Sequence, residues 1–163
     1  MGSNSDSERE GISLSKATEY LLEESRMVLP GMQALFGFQL IAVFNSAFTE
    51  KLGPLEQRLH LVAIGLVVLA IALIMTPAAY HRQTSPRAVS AHLIAMSSRL
   101  ILMSMGPLAL AICIDFYLVA WVVVHQRTAA ALAAIALVLF AALWFGFPYW
   151  HKRRLERTGR SRD

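Results

Sequence analysis

Asp115 is the residue in this chain best placed to do chemistry. It is the one acidic residue inside four long apolar runs, at 28–48, 59–80, 100–124 and 129–149. A carboxylate at the centre of such a run costs at least ~2.5 kcal/mol on insertion scales, so it must be protonated, paired or set against a wet cavity. The chemistry open to it is the handling of a proton or cation. The competing role is structural, an acid hydrogen-bonded to a neighbouring helix. Candidate partners at similar depth are Asn45 and Gln39 in the first run, with His60 and Arg58 leading into the second. Asp115, Asn45, Gln39 and His60 together make a candidate intramembrane polar cluster. An Asp115 bonded to Asn45 or Gln39, with no basic residue at its own depth, is the specific expectation. Arg99 is a poor partner, since sixteen residues along one helix is ~24 Å.

Other polar residues carry less. Gln33, Gln39 and Asn45 invite a pore-lining reading of the first run. Steps of six residues turn a helix by ~240° net, so the three point in different directions and cannot form one polar stripe. Among the five histidines no two are spaced i+3 or i+4. His60 and His125 lie at one side of the apolar runs and His81, His92 and His151 at the other. A cross-helix haem pair such as His81 with His151 is conceivable in a helical bundle, but none of the five lies mid-run, so no metal or cofactor is assigned. HExxH, GxSxG, a paired intramembrane aspartate, a P-loop and a dinucleotide fingerprint are all missing from the sequence. The chain reads as a non-enzyme.

The elements that must position these residues follow from the runs themselves. About 20 helical residues cross the hydrocarbon core of a bilayer. Backbone polar groups in lipid must be satisfied internally, and continuous rather than alternating apolar runs select helices over a barrel. The 163-residue chain is 56% apolar and 16% charged. Outside the four runs no piece exceeds 27 residues, too short to bury a core of its own. The expected fold is an all-α membrane protein of one domain, a bundle of four transmembrane helices. A single cysteine, Cys113, leaves no intramolecular disulfide to indicate a compartment. The polar first 27 residues make the first run an uncleaved signal anchor rather than a signal peptide.

Orientation follows from basic residues. Twelve of the 15 Lys and Arg fall in the N-terminal segment, the link between the second and third runs, and the tail. Only Lys51, Arg58 and Arg127 occupy the other two links. Both termini are therefore expected in the cytoplasm. The net charge of +4 is accounted for by this bias and is not a nucleic-acid signature. The basic tail, 151–163, is expected to touch anionic lipid heads through Lys152, Arg153, Arg154 and Arg157.

Along the chain, residues 1–13 read as a disordered tail, with Ser13 as a helix cap. From 14 to 26, Leu14, Ala17 and Leu21 share a face with Val28, while Lys16, Glu19, Glu23 and Arg26 lie opposite. That pattern predicts an amphipathic interfacial helix, bent or broken at Pro30-Gly31. Gly53-Pro54 marks a turn. Thr76 is placed to help satisfy the carbonyl that Pro77 frees. Ser85-Pro86 starts a helix, Gly106-Pro107 predicts a kink, and the short link His125–Thr128 makes the last two spans a hairpin. The fourth run has small-xxx-small pairs, Ala129/Ala133 and Ala130/Ala134, and closes on the aromatic belt "WFGFPYW".

Two blocks carry a resemblance: "LLEESRMVLPGMQALFGFQLIAVF" at 21–44 and "RLHLVAIGLVVLAIALIMTPAAYHRQ" at 58–83. They resemble a family of small bacterial four-span membrane proteins grouped as a domain of unknown function. The similarity covers about residues 14–150. It implies four spans and a bacterial plasma membrane, and brings no functional residue with it.

Two functional readings stand. One is a non-enzymatic interaction or regulatory membrane component, whose partners are the bilayer and a second copy or another membrane protein. The other is a small homo-oligomeric channel or transporter for protons or cations, with Asp115 side chains gathered about one axis.

Overall fold

The computed structural model describes residues 2–83 and 91–150. It is helical throughout: α1 (Gly2–Val43), α2 (Ser46–Lys51), α3 (Pro54–Gln83), α4 (Ala91–Val123) and α5 (Gln126–Ala141). A π-helical turn, Ala142–Gly146, follows α5 directly, and helix resumes to Trp150. No strand occurs among the described residues. Four helical stretches are long and apolar enough to cross a membrane: Arg26–Val43, Pro54–Tyr80, Ile94–Val123 and Gln126–Trp150. Their lengths of 18, 27, 30 and 25 residues bracket the ~20 that a bilayer core requires.

The core is built from one stripe on each of three helices. On α3 the buried positions are Glu56, His60, Ala63, Val67, Ala70 and Ile74. They recur every three or four residues, the period that keeps side chains on one helix face. On α4 the matching row is Ser97, Ile101, Ser104, Ala111 and Leu118, and Asp115 falls in the same row. On α1 the row holds Met32 and, two turns later, Gln39. α3 and α4 make the most extensive pairing, with α1 packed on both. Ala63, Val67 and Ala111 are completely buried where they meet, because small side chains let helix backbones approach. Met32, Ala70, Ile74 and Ile101 form a second cluster toward the other end.

α5 packs on α4 and turns Ala129 fully inward. The row Ala130/Ala134 is exposed. Of the two small-residue pairs in the last run, only the one containing Ala129 faces the bundle. Large apolar side chains cover the outside, Phe44 (89% exposed) and Val123 (77%) among them, as a lipid-facing surface requires.

The helices depart from the sequence reading in four places. The first span ends at Val43, not Phe48, and a separate short helix follows. Its cause is Asn45, whose extended backbone and side-chain bond to the Ala47 N–H cap α2. α1 is continuous from Gly2 through Pro30, where a disordered tail to residue 13 and a break at Pro30-Gly31 were expected. Extending a helix that already exists is far easier than nucleating one, so a polar segment can continue it. One proline removes a single backbone bond without ending the helix. The Thr76 hydroxyl donates to the Ala72 carbonyl at 2.8 Å, rather than to the Leu73 carbonyl that Pro77 leaves free. The π turn was not anticipated at all. Lys16, Glu19, Glu23 and Arg26 are exposed, while the side chains of Leu14, Ala17 and Leu21 lie outside the described residues. So do the Ser85-Pro86 helix start and the basic residues Lys152, Arg153, Arg154 and Arg157.

Candidate functional site

The site lies near the end of the bundle where α1 gives way to α2. Gln39 is one turn before the end of α1, and His60 about 9 Å into α3 at helical rise. Asp115 is about 12 Å before the end of α4. Each occupies the inward stripe of its helix, so packing the three stripes brings them together.

Gln39 Nε2 donates to Asp115 Oδ2 at 2.6 Å. The other carboxyl oxygen, Oδ1, is 3.2 Å from His60 Nδ1. His60 Nε2 is 2.9 Å from the backbone carbonyl oxygen of Gln39, closing a ring of three contacts across α1, α3 and α4.

Hydrogen-bond chemistry fixes the protons. A carbonyl oxygen only accepts, so His60 Nε2 carries its hydrogen. The contact at Nδ1 then needs one further proton. It sits either on Nδ1, giving imidazolium against carboxylate, or on Asp115, giving a neutral acid that donates to a neutral ring. The unit carries no net charge in either arrangement. Asp115 thus avoids the cost of an unpaired charge in an apolar surround. Because that proton lies on the Oδ1 side, Oδ2 is an acceptor and Gln39 must present Nε2 to it. Gln39 is only 3% exposed, and its remaining oxygen, Oε1, is buried with no hydrogen-bond partner. An unsatisfied buried acceptor costs ~1–3 kcal/mol.

α2 covers the unit. Phe48 meets the His60 ring edge-on, with centroids 5.2 Å apart, and Leu52 is buried beside it. A cavity of about 430 Å³ opens against the unit, with Gln39, His60 and Asp115 in its wall. Leu35, Phe38, Ala42, Leu118, Val119 and Val122 give it an apolar lining, and Asn45 and Lys51 border it. The Asp115 side chain is 19% exposed, all but closed off.

Of the four residues expected in the cluster, three are brought together: Asp115, Gln39 and His60. Asn45 is not bonded to Asp115. It is exposed and its side chain is used as the α2 cap, although it borders the same cavity. The expectation that no basic residue lies at the depth of Asp115 is overturned by His60. α3 starts at Pro54, which carries His60 well inside the helical layer rather than above it. Arg58 and Arg99 are exposed. Gln33 is exposed as well, as the angular argument against a polar stripe requires. The contribution of Phe48 was missed, although the Asn-Ser pair at 45–46 is a recognisable cap signature for the helix that carries it. Among the described residues no group of three or more His, Cys, Asp and Glu could hold a metal ion. The side chains of His81 and His92, and all of His151, lie outside the described residues.

The chain belongs to a family of unknown function (DUF6328), whose model matches residues 7–148. No curated protein matches the chain, and no solved structure does.

Proposed function

We propose that this member of a family of unknown function is a non-enzymatic, multi-pass component of the bacterial plasma membrane that works by binding. Both termini lie in the cytoplasm, on the side favoured by twelve of its 15 Lys and Arg. The Gln39–His60–Asp115 unit then lies toward the outer face. Its role is to lock three helices in register beneath a binding cavity.

One observation carries the reading. Asp115 is satisfied on both carboxyl oxygens by residues of its own chain, and the core beyond it is a dry pack of Ala63, Val67, Ala70 and Ile74. A carboxylate serving a water-filled path would instead face polar groups along the bundle. Purified protein in proteoliposomes tests this. Proton flux equal to that of protein-free liposomes is expected for both wild type and Asp115→Asn. A pH-driven flux lost in Asp115→Asn overturns the binding reading.

That second outcome would establish the alternative, a homo-oligomeric proton or cation channel. Its own support is the cavity beside Asp115, which several copies arranged around one axis would join into a shared vestibule.

A further inference from the structure

The cavity beside the polar unit combines two features that specify a ligand. Its lining is apolar, and Phe38 and Val119 on its border are 71% and 64% exposed. Its mouth therefore lies on the lipid-facing side of α1 and α4, and a molecule reaches it from the bilayer. Its one unmet polar demand is Gln39 Oε1, a buried acceptor. The amide cannot turn to relieve it, because Nε2 is held at 2.6 Å by Asp115. His60 is equally committed, one ring nitrogen to Asp115 and the other to the Gln39 carbonyl. What is missing is a donor attached to an apolar body.

We propose that this cavity binds an apolar hydroxyl compound from the membrane, of the phenol or quinol class, whose O–H donates to Gln39 Oε1 while its hydrocarbon body lies along Leu35, Phe38, Leu118 and Val122. The pocket of about 430 Å³ falls within the range of small-molecule sites, which are mostly apolar with a few placed polar groups. An acyl chain would fill the same walls but leave Oε1 unmet. A carbonyl compound lacking a hydroxyl would set acceptor against acceptor. Phe48 and Leu52 of α2 close the end nearest His60, so the hydroxyl meets its partner away from bulk water, where a hydrogen bond is strongest. This assignment rests on the binding reading above and names the class of molecule bound.

The test is equilibrium binding to the full-length protein in lipid nanodiscs, comparing para-heptylphenol with its methyl ether. The two share an apolar body, and only the first has a donor. Saturable binding of the phenol at one per chain is expected, with the ether weaker by about tenfold, the scale of one buried hydrogen bond. Gln39→Met keeps the length of the side chain and removes the acceptor, and should bring phenol and ether to equal affinity. Ala42→Phe should abolish saturable binding by filling the cavity. Val119→Trp fills it from α4 and covers the case in which Ala42→Phe does not fold. Equal binding of phenol and ether by wild type overturns the proposal in favour of simple acyl-chain filling. Partition with no saturable component overturns it as well. Either result leaves the binding reading standing if flux is absent, whereas Asp115-dependent flux would remove the reading itself.

Discussion

Asp115 Oδ1 and His60 Nδ1 stand 3.2 Å apart and tie α4 to α3 near the end of the bundle that α2 covers. The pair shares one proton, and Gln39 bonds both of its members, through Nε2 to the acid and through its backbone carbonyl to the ring. Three helices are thereby fixed in one register. The same register seats Ala63 and Val67 of α3 against Ala111 of α4.

Replacement of Asp115 should separate shape from hydrogen bonding. In Asp115→Asn the carbonyl oxygen can accept from Gln39 and the amide N–H can donate to His60 Nδ1. Thermal unfolding in detergent should show it close to wild type. Asp115→Leu leaves Gln39 Nε2 and His60 Nδ1 without partners and should lose ~1–3 kcal/mol. An Asn variant as unstable as the Leu variant would contradict the proton assignment.

The His60 ring makes a second prediction. Nitrogen NMR of labelled histidine should show Nε2 protonated whichever way the shared proton lies, since its partner is a carbonyl. A ring with bare Nε2 and hydrogen only on Nδ1 would mean that the contact with Gln39 is not made.

How much of this was legible in the sequence depended on the kind of signal. The four spans were plain because continuous apolar runs of bilayer length have few other structural solutions. Asp115 stood out because an acid in such a run is costly. The end of the first span was misjudged because apolar residues continue to Phe48, and composition outweighed the cap signature at Asn45. That error put Asn45 in the polar cluster and hid α2. His60 was named for the cluster but set above it, since the second span was counted from its first leucine and not from Pro54. The π turn at Ala142–Gly146 left no trace, because a widened turn changes hydrogen-bond spacing without changing composition.

Asn45 should prove to be a local device. Asn45→Ala removes the side-chain bond to the Ala47 N–H and should weaken α2 by ~0.5–2 kcal/mol. Hydrogen exchange at Ala47 should rise, with Asn45→Asp restoring protection. Exchange in the α3 and α4 segments around His60 and Asp115 should stay unchanged. If it rises with that of α2, the cap and the polar unit form one cooperative piece.

The proposed orientation has its own check. Alkaline phosphatase fused after Arg162 should be inactive, and a fusion in the 51–55 link should be active, as expected when cytoplasmic segments carry the basic residues. The reverse pattern would place the cavity on the cytoplasmic side.

The central structural claim is that Asp115 and His60 act as one unit within a chain. A double-mutant cycle on unfolding free energy, using Asp115→Leu, His60→Leu and the pair together, tests it most directly. The account predicts that the double variant loses less than the sum of the two single losses, by a coupling of ~0.5–3 kcal/mol. Single losses that add to within ~0.3–0.5 kcal/mol would show that the two residues do not interact, and would contradict the account.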